Sequence, residues 1–169
     1  MQFKQSTRFL VTTALFSAAI AATTAYVLHI PLPTGGYIHV GDALIYLAAC
    51  LLPTPWAIAA GAIGGALADL LTAPMWAPAT MVIKALICLP FTAKRETLLG
   101  TRNGLAIIAA GLLSPTLYGF VNVFFAQSWT AFLPQFFGTL IQGVGSGIVF
   151  LVLAIACDRA GLKRRLSHP

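Results

Sequence analysis

The chain has 169 residues, 59% of them hydrophobic and only 8% charged. A soluble domain carries about 25% charged residues, so an ordinary soluble fold is excluded, and residues 1–169 read as one all-α membrane domain of six transmembrane helices. The formal charge of +6 is not a nucleic-acid signature, because its cations flank apolar segments as the positive-inside rule expects.

The first apolar run, about Phe9–Leu28, follows Lys4 and Arg8. It has the outline of a signal peptide, but its length suits a membrane span, and it is read as the first helix. A loop rich in Pro and Gly follows, His29–Gly41. The second segment is short, about Asp42–Leu52, and is stopped by Pro53 and Pro55, since proline has no N–H to donate and clashes inside a helix. The third runs from about Trp56 to Thr72. After a loop with Pro74, Trp76 and Pro78 comes the fourth, about Ala79–Ala93. Lys94–Arg102 is a charged linker. The fifth and sixth segments run from about Gly104 to Ala126 and from about Phe132 to Cys157, and residues 159–169 form a basic tail. The second segment is too short for a ~30 Å hydrocarbon core. It reads as a half-helix buried among the others, or as one extended by its neighbouring loop, and interrupted helices at membrane depth usually line a cavity.

With both termini cytoplasmic, the N-terminus, Pro53–Pro55, Lys94–Arg102 and the tail lie inside. They hold Lys4, Arg8, Lys94, Arg95, Arg102, Arg159, Lys163, Arg164 and Arg165. The outer loops His29–Gly41, Ala73–Pro78 and Gln127–Ala131 hold no Lys or Arg. This asymmetry sets the orientation. Cys50, Cys88 and Cys157 lie in different segments without metal-ligand spacing and read as packing residues.

Between Phe9 and Ala93 the only charged residues are Asp42, Asp69 and Lys84. A charge at membrane depth is costly unless paired or wetted, which makes each a functional-site candidate. Asp42 opens the second segment at its outer end. Asp69 lies about one turn from the outer end of the third, and Lys84 lies ~9 Å below the outer end of the fourth. Lys84 is therefore placed to pair with either aspartate, as a packing pair or as part of a ligand site. Ser114, Tyr118 and Asn122 share one helix face, as do Gln135, Thr139, Gln142 and Ser146. Their outer members lie level with the charges. Trp76 is placed to anchor at the interface or to stack on a flat ring, and His39 stands three residues before Asp42. Ala14, Ala18 and Ala22 form a small-residue ridge on the first segment that suits close helix docking. There is no G-x-x-x-x-G-K-[ST] loop, no H-E-x-x-H and no G-x-S-x-G.

The ordered stretches Ile38-His39-Val40-Gly41-Asp42-Ala43, Ala60-Gly61-Ala62-Ile63-Gly64-Gly65-Ala66-Leu67-Ala68-Asp69 and Trp76-Ala77-Pro78-Ala79-Thr80-Met81-Val82-Ile83-Lys84 resemble the S components of energy-coupling factor (ECF) vitamin transporters. The likeness is greatest to the riboflavin, hydroxymethylpyrimidine or pyridoxine branch. It implies a prokaryotic, multi-pass plasma-membrane subunit that captures a small aromatic vitamin or precursor from outside. It further implies docking through Ala14, Ala18 and Ala22 onto a transmembrane coupling (T) subunit driven by two ATP-binding cassette ATPases, with no cofactor on this chain. The substrate contacts it points to are His39, Asp42, Asp69, Trp76, Thr80, Lys84, Tyr118, Asn122, Gln135 and Gln142. A single pyrimidine or pyridine ring is favoured, with riboflavin as the bulkier option. The other readings are a small membrane enzyme using Asp69 and Lys84 as acid and base, and a structural assembly subunit.

Overall fold

The computed structural model describes residues 2–27, 29–31 and 37–163. Six helices follow in order: α1 (Gln2–Tyr26), α2 (Asp42–Leu51), α3 (Thr54–Thr72), α4 (Ala77–Cys88), α5 (Thr101–Ala126) and α6 (Phe132–Arg159). By length and composition four stretches suffice to cross a membrane: Gln5–Tyr26, Thr54–Thr72, Thr101–Ala126 and Trp129–Arg159. Asp42–Leu51 and Pro74–Cys88 are apolar but shorter.

The helices lie where the apolar segments place them, with three differences. α1 begins at Gln2, before the apolar run, so Arg8 sits within it. α4 stops at Cys88 and not near Ala93, because Pro90 has no N–H with which to continue the helical hydrogen bonds. The loop between α1 and α2 contains a small antiparallel pair, β1 (Ile30–Pro31) and β2 (Tyr37–Ile38), with Ile30 opposite Ile38. Residues 164–169, most of the expected basic tail, lie outside the described residues.

α2 is the hub of the bundle. It packs on α1, α3, α4 and α6, and Asp42, Ala43 and everything from Ile45 to Cys50 is buried. Its ten residues cover about 15 Å, and of the two readings of its length the buried half-helix is the one observed. Pro53 is extended and Pro55 occupies the first turn of α3, where a proline's missing N–H costs nothing. Beneath the pocket described below, Tyr46 of α2 stacks on Phe91 at 4.9 Å and meets the edge of Phe150 at 5.9 Å. This aromatic cluster joins α2 and α6 to the segment that follows α4.

Close helix approach depends on glycine. A Cβ on Gly64 of α3 would stand 2.8 Å from both the Ser17 carbonyl oxygen and Ile20 Cβ of α1. One on Gly65 would meet Lys84 Cγ at 2.8 Å, so this glycine makes room for the lysine stem to pass between α3 and α4. α1 buries Thr13, Ser17, Ile20 and Thr24 against the bundle, while Ala14, Ala18 and Ala22 are exposed on its far side. Large apolar side chains such as Leu15, Ile108, Leu112, Ile141 and Ile148 cover the outer surface of the bundle.

The charged linker between α4 and α5 is held by side chains that satisfy its backbone. Asn103 accepts from Thr92 N–H and donates to the Thr92 and Leu98 carbonyls. Asp158, at the end of α6, accepts from Leu98 and Leu99 N–H. Without such partners these buried backbone groups would each be costly.

Candidate functional site

The helix ends next to the loop between α1 and α2 gather several buried polar side chains around one cavity of about 30 Å3. Tyr37 and His39 line it from the loop, Asp69 from α3, Trp76 and Thr80 from the start of α4, and Tyr118 from α5. α6 contributes Gln135, Thr139 and Gln142, which recur at i, i+4 and i+7 and so share one face.

Asp69 and Lys84 do not meet as a pair. The Asp69 carboxylate accepts from the Tyr37 hydroxyl at 2.5 Å, which ties the loop between α1 and α2 to the end of α3. His29 stacks on Tyr37 with ring centroids 4.0 Å apart. Burial, with the charge of Asp69 beside it, pushes the Tyr37 hydroxyl above its ordinary pKa, so Tyr37 stays protonated and remains the donor. The acid–base pair that a membrane-enzyme reading would need is therefore replaced by a tyrosine–carboxylate contact.

Lys84 pairs with Asp42 instead, Nζ to Oδ1 at 2.6 Å, with both side chains 1% exposed. The second carboxylate oxygen of Asp42 accepts from Gln142 Nε2 at 3.1 Å. Lys84 Nζ also stands 5.3 Å from the centre of the Tyr118 ring, a cation–π distance. The ion pair lies behind the cavity wall, and neither residue lines the cavity.

His39 is fixed by its neighbours. Its Nδ1 accepts from Gly41 N–H at 3.0 Å, and its carbonyl oxygen accepts from the Ser146 hydroxyl. Burial lowers its pKa to about 3 despite the attraction of Asp42. The ring is therefore neutral, and with Nδ1 accepting, its proton is on Nε2. Thr80 Oγ1 and Tyr118 Oη share a hydrogen bond of 2.7 Å. Trp76 packs edge-on against Phe125 at 5.0 Å.

Among the described residues, two buried atoms at the cavity lack a hydrogen-bond partner, the Trp76 indole Nε1 and Gln135 Oε1. Gln135 Nε2 donates to Thr139 Oγ1. A buried polar atom without a partner is costly, and native structures tolerate few. One donor and one acceptor among the lining residues fit a ligand that offers both an acceptor and a donor, as heteroaromatic rings do.

Of the residues expected to contact substrate, His39, Asp69, Trp76, Thr80, Tyr118, Gln135 and Gln142 surround the cavity. Asp42 and Lys84 stand behind it. Asn122 shares a helix face with Tyr118 but lies one turn further out, where its Nδ2 donates to the Ala131 carbonyl and holds the loop before α6. Tyr37 and Thr139 line the cavity without having been singled out as contacts. Thr139 belongs to the polar stripe of α6 and was findable from it. Tyr37 has no signal beyond an aromatic in a Pro/Gly-rich loop.

A second, open groove of about 440 Å3 lies at the opposite end between Pro90, Arg95, Arg102 and Leu105. None of the converging buried polar groups reaches it. Among the described residues no group of three His, Cys, Asp or Glu is placed to hold a metal ion.

A family model described as the S component of the ECF-type riboflavin transporter matches residues 4–159. A protein of Pyrococcus woesei, described as an uncharacterized protein in the gap 3' region, is 33% identical over 141 residues, 78% of this chain and 88% of that protein.

Proposed function

We propose a function from one premise: the chain belongs to the family of ECF-type riboflavin transporter S components. It is then a membrane-embedded transporter subunit for a vitamin-type substrate. In our reading all six helices lie in the plasma membrane with both termini cytoplasmic, and the cavity opens outward. The subunit captures its vitamin there and passes it inward together with a T subunit and two ATP-binding cassette ATPases, which hydrolyse the ATP. It binds its substrate without converting it, and the exposed ridge Ala14, Ala18 and Ala22 is its docking face.

The observation that carries this reading is the convergence of Asp69, Trp76, Gln135 and Gln142 on one cavity in a chain whose helices expose many large apolar side chains. Riboflavin is the first substrate to test, because the family is described for it. Its flat ring system offers an imide N–H between two carbonyls, which suits the unpartnered donor and acceptor of Trp76 and Gln135. Ligand pockets usually measure about 300–1,000 Å3, so a vitamin enters only as Tyr37 and its neighbours shift. The modest cavity favours a second reading, a single-ring vitamin such as hydroxymethylpyrimidine or pyridoxine.

Mass spectrometry of small molecules that copurify with the chain, followed by titration with riboflavin, hydroxymethylpyrimidine and pyridoxine, tests the proposal. Asp69→Asn and Trp76→Phe should each weaken binding about tenfold or more, the value of a buried hydrogen bond. Full binding by both folded variants would place the site elsewhere.

A further inference from the structure

We propose that the buried Asp42–Lys84 ion pair is a positioning device that never touches the substrate. It holds the Gln142 side chain so that the glutamine serves the pocket as a hydrogen-bond acceptor. The inference deepens the function proposed above and rests on it.

A glutamine side chain ends in two different groups, an acceptor and a donor, and can present either. At Gln142 the choice is made by its neighbour. An ionised carboxylate only accepts, so the group facing Asp42 Oδ2 at 3.1 Å has to be Nε2. Oε1 is the end left for the cavity that Gln142 lines. Asp42 can act this way only while it is ionised, and a bare carboxylate that is 1% exposed would instead hold a proton. Lys84 Nζ at 2.6 Å supplies the charge that keeps it ionised. A protonated Asp42 could donate, and Gln142 would then be free to turn its NH2 toward the ligand.

Every partner of the relay is fixed. Asp42 is at the first position of α2, which is buried on all sides. The lysine stem is confined by Gly65, where a Cβ would stand 2.8 Å from Lys84 Cγ. Gln135 on the same helix face likewise commits its Nε2 to Thr139 and leaves Oε1 unpartnered. α6 therefore offers two acceptors on one face, about two turns apart, to a ligand that must bring N–H or O–H groups to meet them.

The test is a double-mutant cycle in the full-length protein, read by riboflavin affinity. One arm replaces the pair by apolar residues of similar volume, Asp42→Leu with Lys84→Met, a change that buried ion pairs often tolerate. The other arm is Gln142→Met. Removing the pair should weaken binding about tenfold when Gln142 is present and by less than about twofold in the Gln142→Met background. An equal loss in both backgrounds would overturn the proposal, since the pair would then act on the ligand directly or on the fold at large. A second measurement does not depend on ligand or variant folding. In the unsubstituted protein, a Gln142 side-chain N–H proton followed by 15N-glutamine NMR should exchange slowly with solvent, and rapid exchange also overturns the proposal. If riboflavin does not bind the unsubstituted protein, the riboflavin reading fails, and the exchange measurement judges the positioning role by itself.

Discussion

His39 shows how one residue's surroundings set its chemistry. Burial holds its pKa at about 3 against an ordinary 6.5. Below about pH 6.5 the unfolded chain takes up a proton that the folded chain refuses until near pH 3. The stability this residue contributes is thus complete above pH 6.5 and is lost as the pH falls toward 3. Between pH 7 and pH 5 the loss is about 2 kcal/mol, to be read as a fall in the thermal midpoint in detergent. His39→Asn, whose Oδ1 can still accept from Gly41 N–H, should show a smaller fall, and an identical fall would assign the acid sensitivity to another group. The sequence singles out His39, Asp42, Asp69 and Lys84 because charge and polarity are rare in this chain. It leaves open which aspartate Lys84 meets, because depth along a helix says nothing of rotation about its axis. Gly65 and the placing of α2 decide that in favour of Asp42. Tyr37 escapes a sequence reading for a related reason: its importance lies in Asp69, 32 positions away.

Among elements, the α1–α3 contact is the closest in its demands. Gly64→Ala puts a methyl group 2.8 Å from a backbone oxygen of α1, which has no side-chain freedom to yield. It should cost about 1–3 kcal/mol, the usual range for overpacking. Gly145 of α6 has nothing within 4 Å of its Cβ position, so Gly145→Ala should not destabilise and should gain up to about 1 kcal/mol of helix propensity. Thermal midpoints of the two variants in the same detergent check the contrast, and equal effects would mean that the helix crossing is not as tight as described. Helix positions are legible in this sequence because apolar runs end at prolines and charged clusters: Pro53 and Pro55 stop α2, and Lys94 to Arg102 separate α4 from α5. The strand pair in the loop between α1 and α2 is not legible, since two residues on each side carry no periodicity. The small-residue spacing in α3 announces close packing, but it does not say which helix comes near.

At the scale of the whole molecule, the distribution of Lys and Arg makes a topological claim that labelling can check. With Cys50, Cys88 and Cys157 replaced by alanine, a cysteine at Ser128 should react in intact cells with a maleimide that cannot cross the membrane. A cysteine at Thr97, an exposed linker position, should react only after permeabilisation. The opposite pattern would invert the orientation and turn the cavity toward the cytoplasm. The short central helix has a consequence of its own. A transmembrane helix needs about 20 residues, and α2 has ten, surrounded by other helices and shielded from lipid. The half it lacks would be a cylinder about 15 Å long and 10 Å wide, on the order of 1,000 Å3. The loop between α1 and α2 and the cavity lie at that end of α2 instead. On the proposed function, each extra helical turn on α2 would take space from the site, so the length of a helix that stops early would bound the size of the cargo.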